Sequence, residues 1–288
     1  MNTEIANKLP EITNLISMPE VYIKVNELMS DPSSDIYSFA EVVVVDPNLS
    51  SLVLKLVNSA YFGYPEPIQN IAQAISLIGL DQFYNIVLGV SAISSLTLPN
   101  EANANAAFSL GNFWWASLHA GVLAQLLAKR TEVQRSEEMF VAGLLHEVGH
   151  LILHGYFPAL ANATMNKAET ESMLIQQAEV ELLGCHYGDI GSLLMANWKL
   201  SERLVSLTRN QPFPQQASEA RHECTLLNVA HIYGQLKSEE RAAGQPTNMR
   251  VELSEEKLIE IGILQEELEL DLATADVVSA DMANVIFS

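Results

Sequence analysis

Cysteine, long apolar runs and basic residues are all scarce in this sequence, and each scarcity excludes a class of protein. Only Cys185 and Cys224 occur in 288 residues, which is too few for a disulfide framework, so we expect reduced thiols in a cytoplasmic protein. No apolar run approaches the roughly 20 residues that span a bilayer. The N-terminus has neither the basic start nor the apolar stretch of a signal peptide. We therefore expect neither membrane insertion nor secretion.

The shortage of basic residues leaves a strong negative charge. The 15 Lys and Arg face 35 Asp and Glu, which gives a formal net charge of -20. This charge repels a phosphate backbone, and the basic residues form no stripe, so the sequence predicts no direct nucleic-acid binding. The acids concentrate in residues 252–276, where apolar residues recur at helical spacing. The pattern predicts a solvated amphipathic helix, which either makes a charge-complementary contact or keeps the protein soluble.

What the sequence has in abundance is helical periodicity. Hydrophobic residues make up 49% of the chain, and they recur three and four positions apart through most of it. Asp46 is expected to cap a helix whose first residue is Pro47. A following helix is expected to end at Gly79, and Asp81 to cap the next one. The apolar run over 42–45 is short enough for a strand, but its helical neighbours lead us to count it as helix. The predicted fold class is all-α.

One stretch interrupts this periodicity, the polar TLPNEANANAA over 97–107. We interpret it as the connection between two helical halves. The predicted organisation is an N-terminal helical half over 1–98 and a second helical half over 105–238. A polar link, marked by AAGQPTN at 242–248, then joins an acidic helical tail, and the two together occupy 239–288.

The stretch GLLHEVGHLIL contains His-Glu-x-x-His, the spacing with which zinc peptidases bind their metal. If residues 137–157 form one helix, as the periodicity predicts, His146 and His150 share a face and could hold Zn²⁺ while Glu147 activates water. The chain lacks the extended pattern with a third histidine, however, and it offers almost no strand to hold a peptide substrate. The sequence therefore favours another explanation of these residues.

A second arrangement pairs His146 with an earlier histidine. His119 lies about 11 residues before a predicted turn near 130, and His146 lies about 10 residues into the next helix. At ~1.5 Å rise per residue, the two arms are each roughly 15–17 Å long. An antiparallel hairpin therefore brings both histidines to the same depth, and the rotation of the helices decides whether they face each other.

Several segments resemble the HDOD domain, the HD-related output domain of bacterial signalling proteins and a branch of the HD superfamily of metal-dependent phosphohydrolases. In the first half these are ISMPEVYIKVNELMSDPSSD, VVDPNLSSLVLKLVNSAYFG and IQNIAQAISLIGL. In the second half they are FVAGLLHEVGHLIL and GCHYGDIGSLLMANWKLSERLVSLTR. The resemblance extends to about residue 235. It implies a multi-helical fold in which an N-terminal helical subdomain packs on an HD-like helical subdomain.

The HD superfamily holds its metals with a histidine, a His-Asp doublet and a later aspartate. Carried over by position, the resemblance places His119 and His146 at the histidines, Glu147 at the first aspartate and His231 at the second. The longer Glu147 displaces its carboxylate by roughly a bond length, which a ligand that bridges two metals does not tolerate. The resemblance therefore implies a degenerate site with no catalytic residue and no expected cofactor, although the histidines could capture a single Zn²⁺, Ni²⁺ or Fe²⁺.

The function that the resemblance implies is that of a non-catalytic regulatory module in bacterial signal transduction. Such a module binds a protein or a small ligand in a groove between its helical halves, and we expect His150, His154 and His186 to line that groove. The expected partners are signalling proteins in trans, of a cyclic-dinucleotide or phosphorelay pathway. The alternative is a metal-dependent phosphohydrolase that acts on a phosphomonoester or nucleotide, with the four residues of the degenerate site as metal ligands.

Overall fold

The computed structural model describes residues 1–59, 62–96, 108–244 and 253–287. Every regular element in these residues is helical and they contain no strand, so the predicted all-α class is confirmed. None of the described helices combines the length and the apolar character that crossing a membrane requires. The predicted connection over 97–107 and the link residues 245–248 lie outside the described residues.

The helices of the first half are α1 Thr3–Leu15, α2 Glu20–Ser30, α3 Ile36–Val44, α4 Pro47–Val57, α5 Ile71–Ile78 and α6 Leu80–Ser95. The second half contains α7 Leu110–Arg130, α8 Ser136–Leu145, α9 Val148–Tyr156, α10 Pro158–Glu171, α11 Ile175–Leu183, α12 Tyr187–Asn197, α13 Glu202–Asn210 and α14 Arg221–Ala243. Beyond residue 252 the helices are α15 Glu255–Ile261 and α16 Gln265–Ile286.

The ends of the early helices follow local rules. Asp46 caps α4 as predicted, because its Oδ1 accepts hydrogen bonds from two backbone N–H groups of the first turn, both at 3.0 Å. Helix α5 ends at Gly79, whose φ of 86° suits a residue without a Cβ. The apolar run is helical up to Val44, as expected. The prediction that Asp81 caps α6 is wrong, because α6 already begins at Leu80 and Gly79 occupies the cap position.

Helix α7 is the centre of the second half, since it packs against α8, α14 and α16. All its residues from 113 to 125 are buried, so no face of the helix is exposed to solvent in that stretch. Helices α7 and α8 cross at two glycines: a Cβ on Gly143 would lie 2.5 Å from Gly121 Cα and 2.6 Å from Gly121 N. The first half packs on this unit through α6 against α8 and α1 against α12.

Helices α8 and α9 are separate, and the prediction of one continuous helix over 137–157 is wrong. The first ends at Leu145, His146 and Glu147 form the link, and the second begins at Val148. Just after the break, Gly149 allows the backbone of α9 to approach α12, because a Cβ there would overlap the backbone carbonyl of Tyr187. The break itself lies at the His-Glu doublet.

The sequence predicted a solvated amphipathic helix in the acidic C-terminal region. In the structure, one face of this helix packs into the core. Helix α16 lies against α7 and buries a stripe made of Leu268, Ala275, Val278 and Met282. Two of its acids face inward. Asp271 accepts two hydrogen bonds from the Arg130 guanidinium, each 2.6 Å long. Asp276 lies 3.0 Å from His119 Nε2 and accepts a 2.9 Å hydrogen bond from Lys237.

The glycine crossing yields a stability prediction. Gly143→Ala should lower the free energy of unfolding by about 1–3 kcal/mol, because the added methyl group must push α7 and α8 apart. Gly111→Ala is the matched control, since the nearest atom to its Cβ is 3.9 Å away. That control should leave stability unchanged or raise it by up to about 1 kcal/mol. Urea denaturation of both variants measures the difference, and equal effects would contradict the close crossing.

The inward-facing acids of α16 yield a second prediction. Asp271→Asn removes the closer of the two carboxylates that pair with Arg130 and should cost about 1–3 kcal/mol of unfolding free energy, because this partly buried guanidinium then keeps only Glu267, at 3.4 Å. Glu266→Gln removes the same charge from an exposed position of the same helix and should have almost no effect. Thermal and urea denaturation compare the two. A cost that is the same for both variants would mean that α16 is not anchored through Asp271.

Candidate histidine–carboxylate site

The link between α8 and α9 places two polar side chains in the interior. His146 and Glu147 are 1% and 2% exposed. Both side chains turn their polar atoms toward α14, where His146 Nε2 lies 2.9 Å from His231 and Glu147 accepts a hydrogen bond from Gln235. The doublet therefore joins two sets of contacts, one through each residue.

His146 is a neutral imidazole whose orientation is fixed by the backbone. Its Nδ1 donates a 2.6 Å hydrogen bond to the carbonyl oxygen of Gly143, which leaves the lone pair on Nε2. That Nε2 lies 2.9 Å from Nδ1 of His231 on α14, which donates to it. Burial lowers the pKa of His146 to about 4, so it carries no charge at neutral pH.

Glu147 is an ionised carboxylate that the protein surrounds with donors. Gln235 on α14 donates to its Oε2 at 2.5 Å, and His150 lies 3.2 Å from its Oε1. The Nδ1 of His231 lies 3.7 Å from the same Oε1. Burial would raise the pKa of Glu147, but His231 and His150 outweigh it and hold the pKa well below the usual value.

His150 bridges two carboxylates. Its Nδ1 contacts Glu147 and its Nε2 lies 3.0 Å from Oε1 of Glu179 on α11. Burial disfavours a charge on His150, but Glu179 and Glu147 together outweigh burial and raise the pKa of His150 to about 10. The other oxygen of Glu179 accepts a 2.8 Å hydrogen bond from the backbone N–H of Tyr187. An imidazolium therefore lies between two carboxylates at the centre of the site.

Three residues of this site have the chemistry of a metal site. Donor atoms of His146, Glu147 and His231 all lie within 4.8 Å of one another. Two imidazoles and one carboxylate suit a single divalent transition metal. Within the described part of the chain, no second carboxylate belongs to this group, so its three donors are too few to hold two ions.

The structure does not bring His119 into this group. His119 is fully buried, stacks on Trp115 at 5.5 Å between ring centroids and contacts Asp276 through Nε2. The hairpin of α7 and α8 exists, but Gly121 is the residue that faces α8. Neighbouring residues of a helix point about 100° apart, so the position of Gly121 directs nearby His119 toward α16.

His186 also lies apart from the cluster. Its Nδ1 accepts a 3.3 Å hydrogen bond from the backbone N–H of Asp189, so it caps α12. Sequence reasoning missed three residues that matter here: Gln235, Glu179 and Asp276. Acids and amides are common in this chain, and each of these acts on a residue far away in sequence. No local signal distinguished them.

A cavity of about 780 Å³ adjoins the cluster. Its walls come from the start of α7 and from α9, α10, α11 and α14, and both His150 and His154 line it. His154 stacks on Phe108 with 4.2 Å between ring centroids, and burial lowers its pKa to about 4. Among the described residues, those that line the cavity all belong to the second half, and His186 is not one of them. This cavity therefore lies within the second half, and the expected groove between the halves stays a prediction.

The geometry also answers the zinc-peptidase hypothesis. His146 and His150 lie on either side of a helix break and do not share a face. His146 pairs with His231, whereas His150 bridges Glu147 and Glu179 and has no lone pair for a metal while it is protonated. The His-Glu-x-x-His spacing in this chain therefore reflects two different contacts.

Comparisons with known proteins agree with this fold. The family model of the HDOD domain matches residues 15–214. A solved "putative phosphohydrolase" of Shewanella amazonensis SB2B is 24% identical, with a TM-score of 0.76 over 99% of this chain and 98% of that one. An HDOD domain protein of unknown function from Geobacter sulfurreducens is 20% identical, with a TM-score of 0.69 over 94% and 91%. At these identities the structures show the fold alone.

Two further relatives are longer than this chain. A "putative signal transduction protein" of Marinobacter aquaeolei VT8 is 21% identical, with a TM-score of 0.73 over 97% of this chain and 61% of its own. An uncharacterized protein of Treponema pallidum (strain Nichols) is 22% identical over 206 residues, which are 71% of this chain and 38% of that protein. This chain therefore spans well under half the length of the Treponema protein that it matches.

The bridging imidazolium yields a measurable prediction. Side-chain ¹⁵N NMR should show His150 charged at pH 8, whereas His146 and His154 should already be neutral at pH 6. Because the folded pKa of about 10 exceeds the ordinary 6.5, this charge stabilises the fold fully below pH 6.5 and ceases to do so as the pH rises through 10. Glu179→Gln should lower the pKa of His150. A neutral His150 at pH 8 in the wild type would contradict the arrangement.

Proposed function

The chain belongs to the HDOD domain family, and we propose that it is a non-catalytic signalling module whose cavity beside the histidine–carboxylate site binds a ligand. In this proposal the occupied cavity changes how the protein contacts other signalling proteins. The cavity is lined by the start of α7, and α7 packs against α8, α14 and α16. A ligand that contacts the start of α7 can therefore bias the packing of the whole second half, which is a common switching device.

The internal pairing of Glu147 is the observation that carries the proposal. A phosphohydrolase of the HD type needs carboxylates that are available to metal ions and to the attacking water. Here the carboxylate of Glu147 already accepts from Gln235 and His150, and Nε2 of His146 already accepts from His231. The cluster supplies its own positive charge through His150. Such an arrangement is stable without an ion and leaves no donor poised to activate water.

A single metal ion fits the donor set even so. His146, Glu147 and His231 would hold it, and when bound it would act as a Lewis acid toward a water or phosphate oxygen. The bond from His146 Nδ1 to the Gly143 carbonyl keeps Nε2 directed into the cluster, and Gln235 orients the carboxylate. The pair His231 and His146 would have to give up their mutual hydrogen bond to bind an ion.

A metal-dependent phosphohydrolase is therefore the second candidate function. The three donors within 4.8 Å favour it, and one structural neighbour is named a "putative phosphohydrolase". The missing second carboxylate counts against it. Its substrate would be a phosphomonoester or a nucleotide, and the metal would have to supply all the positive charge that holds the phosphate.

The setting of the proposed module is the bacterial cytoplasm, where Cys185 and Cys224 stay reduced. Both are free and buried. We place its partners among signalling proteins of a cyclic-dinucleotide or phosphorelay pathway that meet this chain in trans. The net charge of -20 favours partners with basic surfaces, because opposite charges accelerate encounter.

A hydrolysis assay tests the proposal. Purified full-length protein, with its metal content measured, is assayed on p-nitrophenyl phosphate, its diester and a panel of nucleotides, after chelation and after loading with Mn²⁺, Fe²⁺, Zn²⁺ or Ni²⁺. We expect no turnover above background in any form, and no change in Glu147→Gln, because the donors are already paired. Glu256→Gln, an exposed change of equal charge on α15, is the control. Metal-dependent turnover that Glu147→Gln removes and Glu256→Gln retains would overturn the proposal in favour of the hydrolase.

A further inference from the structure

The charge of the cavity differs from that of a phosphate-binding site. The described residues that line it include no Lys or Arg. They include four carboxylates, those of Glu147, Glu169, Glu179 and Glu239. Counting His150 as charged, the carboxylates still outnumber the cations. Proteins bind phosphate groups with Arg, Lys, backbone N–H groups or metal ions, and they place carboxylates where a positive charge will lie.

Two of these carboxylates lie at the mouth of the cavity. Glu169 on α10 and Glu239 on α14 are exposed, and in the described ranges neither forms an ion pair. Their neighbours Lys167 and Lys237 are engaged elsewhere: Lys167 pairs with Glu171 and Glu181, and Lys237 pairs with Glu240 and Asp276. The mouth therefore keeps two negative charges that the protein does not neutralise in its described part.

The walls of the cavity are partly aromatic and apolar. The ring centroids of Phe108 and Phe113 lie 5.8 Å apart, and Phe108 also stacks on His154. Leu153 and Met165 add apolar surface. Aromatic faces attract cations through their negative quadrupole, and they pack equally well on flat apolar bodies. A volume of about 780 Å³ is in the range of pockets that hold molecules of drug size.

Two polar atoms in the walls add to this pattern. Oδ1 of Asn162 and Nδ1 of His154 are shielded from solvent, and neither has a hydrogen-bond partner among the described residues. Both side chains line the cavity. The amide oxygen accepts only, so it suits an N–H group of a ligand and not a phosphate oxygen.

We propose that the cavity binds an organic cation, with an ammonium or guanidinium group toward Glu169 and Glu239 and an apolar or aromatic body against Phe108, Leu153 and Met165. The inference rests on the proposed ligand-binding function and names the chemical class of the ligand. Two sources share this chemistry, a free amine and a Lys or Arg side chain of a partner protein. Phosphorylated ligands, including nucleotides, are excluded from the metal-free cavity, because their charge would face carboxylates on the wall and at the mouth.

Three probes that share an indole ring and a two-carbon chain but differ in charge test the proposal. Tryptamine, tryptophol and indole-3-propionate share an indole ring and carry a cationic, a neutral and an anionic end. Isothermal titration of the chelated full-length protein at low ionic strength should give a Kd for tryptamine at least about tenfold below that for tryptophol. Indole-3-propionate should not bind measurably. A capped Phe-Lys dipeptide in the same assay distinguishes the sources, since tighter binding than tryptamine points to a partner's side chain.

Variants at the mouth locate the binding site. The double change Glu169→Gln and Glu239→Gln should weaken tryptamine binding about three- to tenfold and leave tryptophol unchanged, because only the charge contact is lost. Glu255→Gln with Glu256→Gln removes the same charge from exposed positions of α15 and should change neither. Both double variants should keep the wild-type melting temperature.

The outcomes separate the two proposals. Binding of indole-3-propionate as tight as that of tryptamine would overturn the cation preference while leaving a ligand-binding cavity. Absence of tryptamine binding at millimolar concentration would overturn the inference as well. Equal weakening by the mouth variants and by the α15 control would show that tryptamine binds elsewhere. The hydrolysis assay decides the catalytic question independently of all three.

Discussion

The burial of one carboxylate, that of Glu147, is the constraint on which the rest of the site depends. A carboxylate in a protein interior costs several kcal/mol unless donors surround it, and removing one partner of such a group is strongly destabilising. Its donors come from α9 and α14, and the same imidazole that binds it also binds Glu179 on α11. The break between α8 and α9 directs the carboxylate toward them. The contacts of this one carboxylate and of its partner His150 therefore connect four helices, namely α8 and α9 at the break, α11 and α14.

Satisfying this charge from within changes what the cluster does. In a metal-dependent enzyme an ion supplies the positive charge, arrives with water and leaves open positions for a substrate. In this protein the charged His150 belongs to the folded chain itself and pairs with both Glu147 and Glu179. Under the proposed function, the adjoining cavity does not need to hold a phosphate against a metal ion. Its wall can be acidic and aromatic, as it is, without conflict with the cluster.

Local features of the fold were predictable from sequence, whereas rotations and distant partners were not. Asp46 and Gly79 determine helix ends through their own backbones, so neighbouring residues suffice to predict them. The depth of His119 was also predictable from helix rise, but its direction depends on how α7 is rotated, and the crossing at Gly121 decides that. The partner of His119 is Asp276, 157 residues away. The helix break at His146 lies beside the contact of Gly149 with α12, a long-range contact that no local pattern encodes.

The position of α14 has a consequence for where the autonomous folding unit ends. The family match stops at residue 214, but α14 begins at Arg221 and contributes His231 and Gln235 to the cluster. A fragment cut at the family boundary would remove the Gln235 donor of the Glu147 carboxylate and the His231 partner of His146, and it would expose apolar surface of α7 on the two sides where α14 and α16 pack. The minimal stable protein is therefore longer than the region by which the family is recognised. The C-terminal helices α14 and α16 pack against α7, and α14 also contacts His146 and Glu147, which lie far upstream in the sequence.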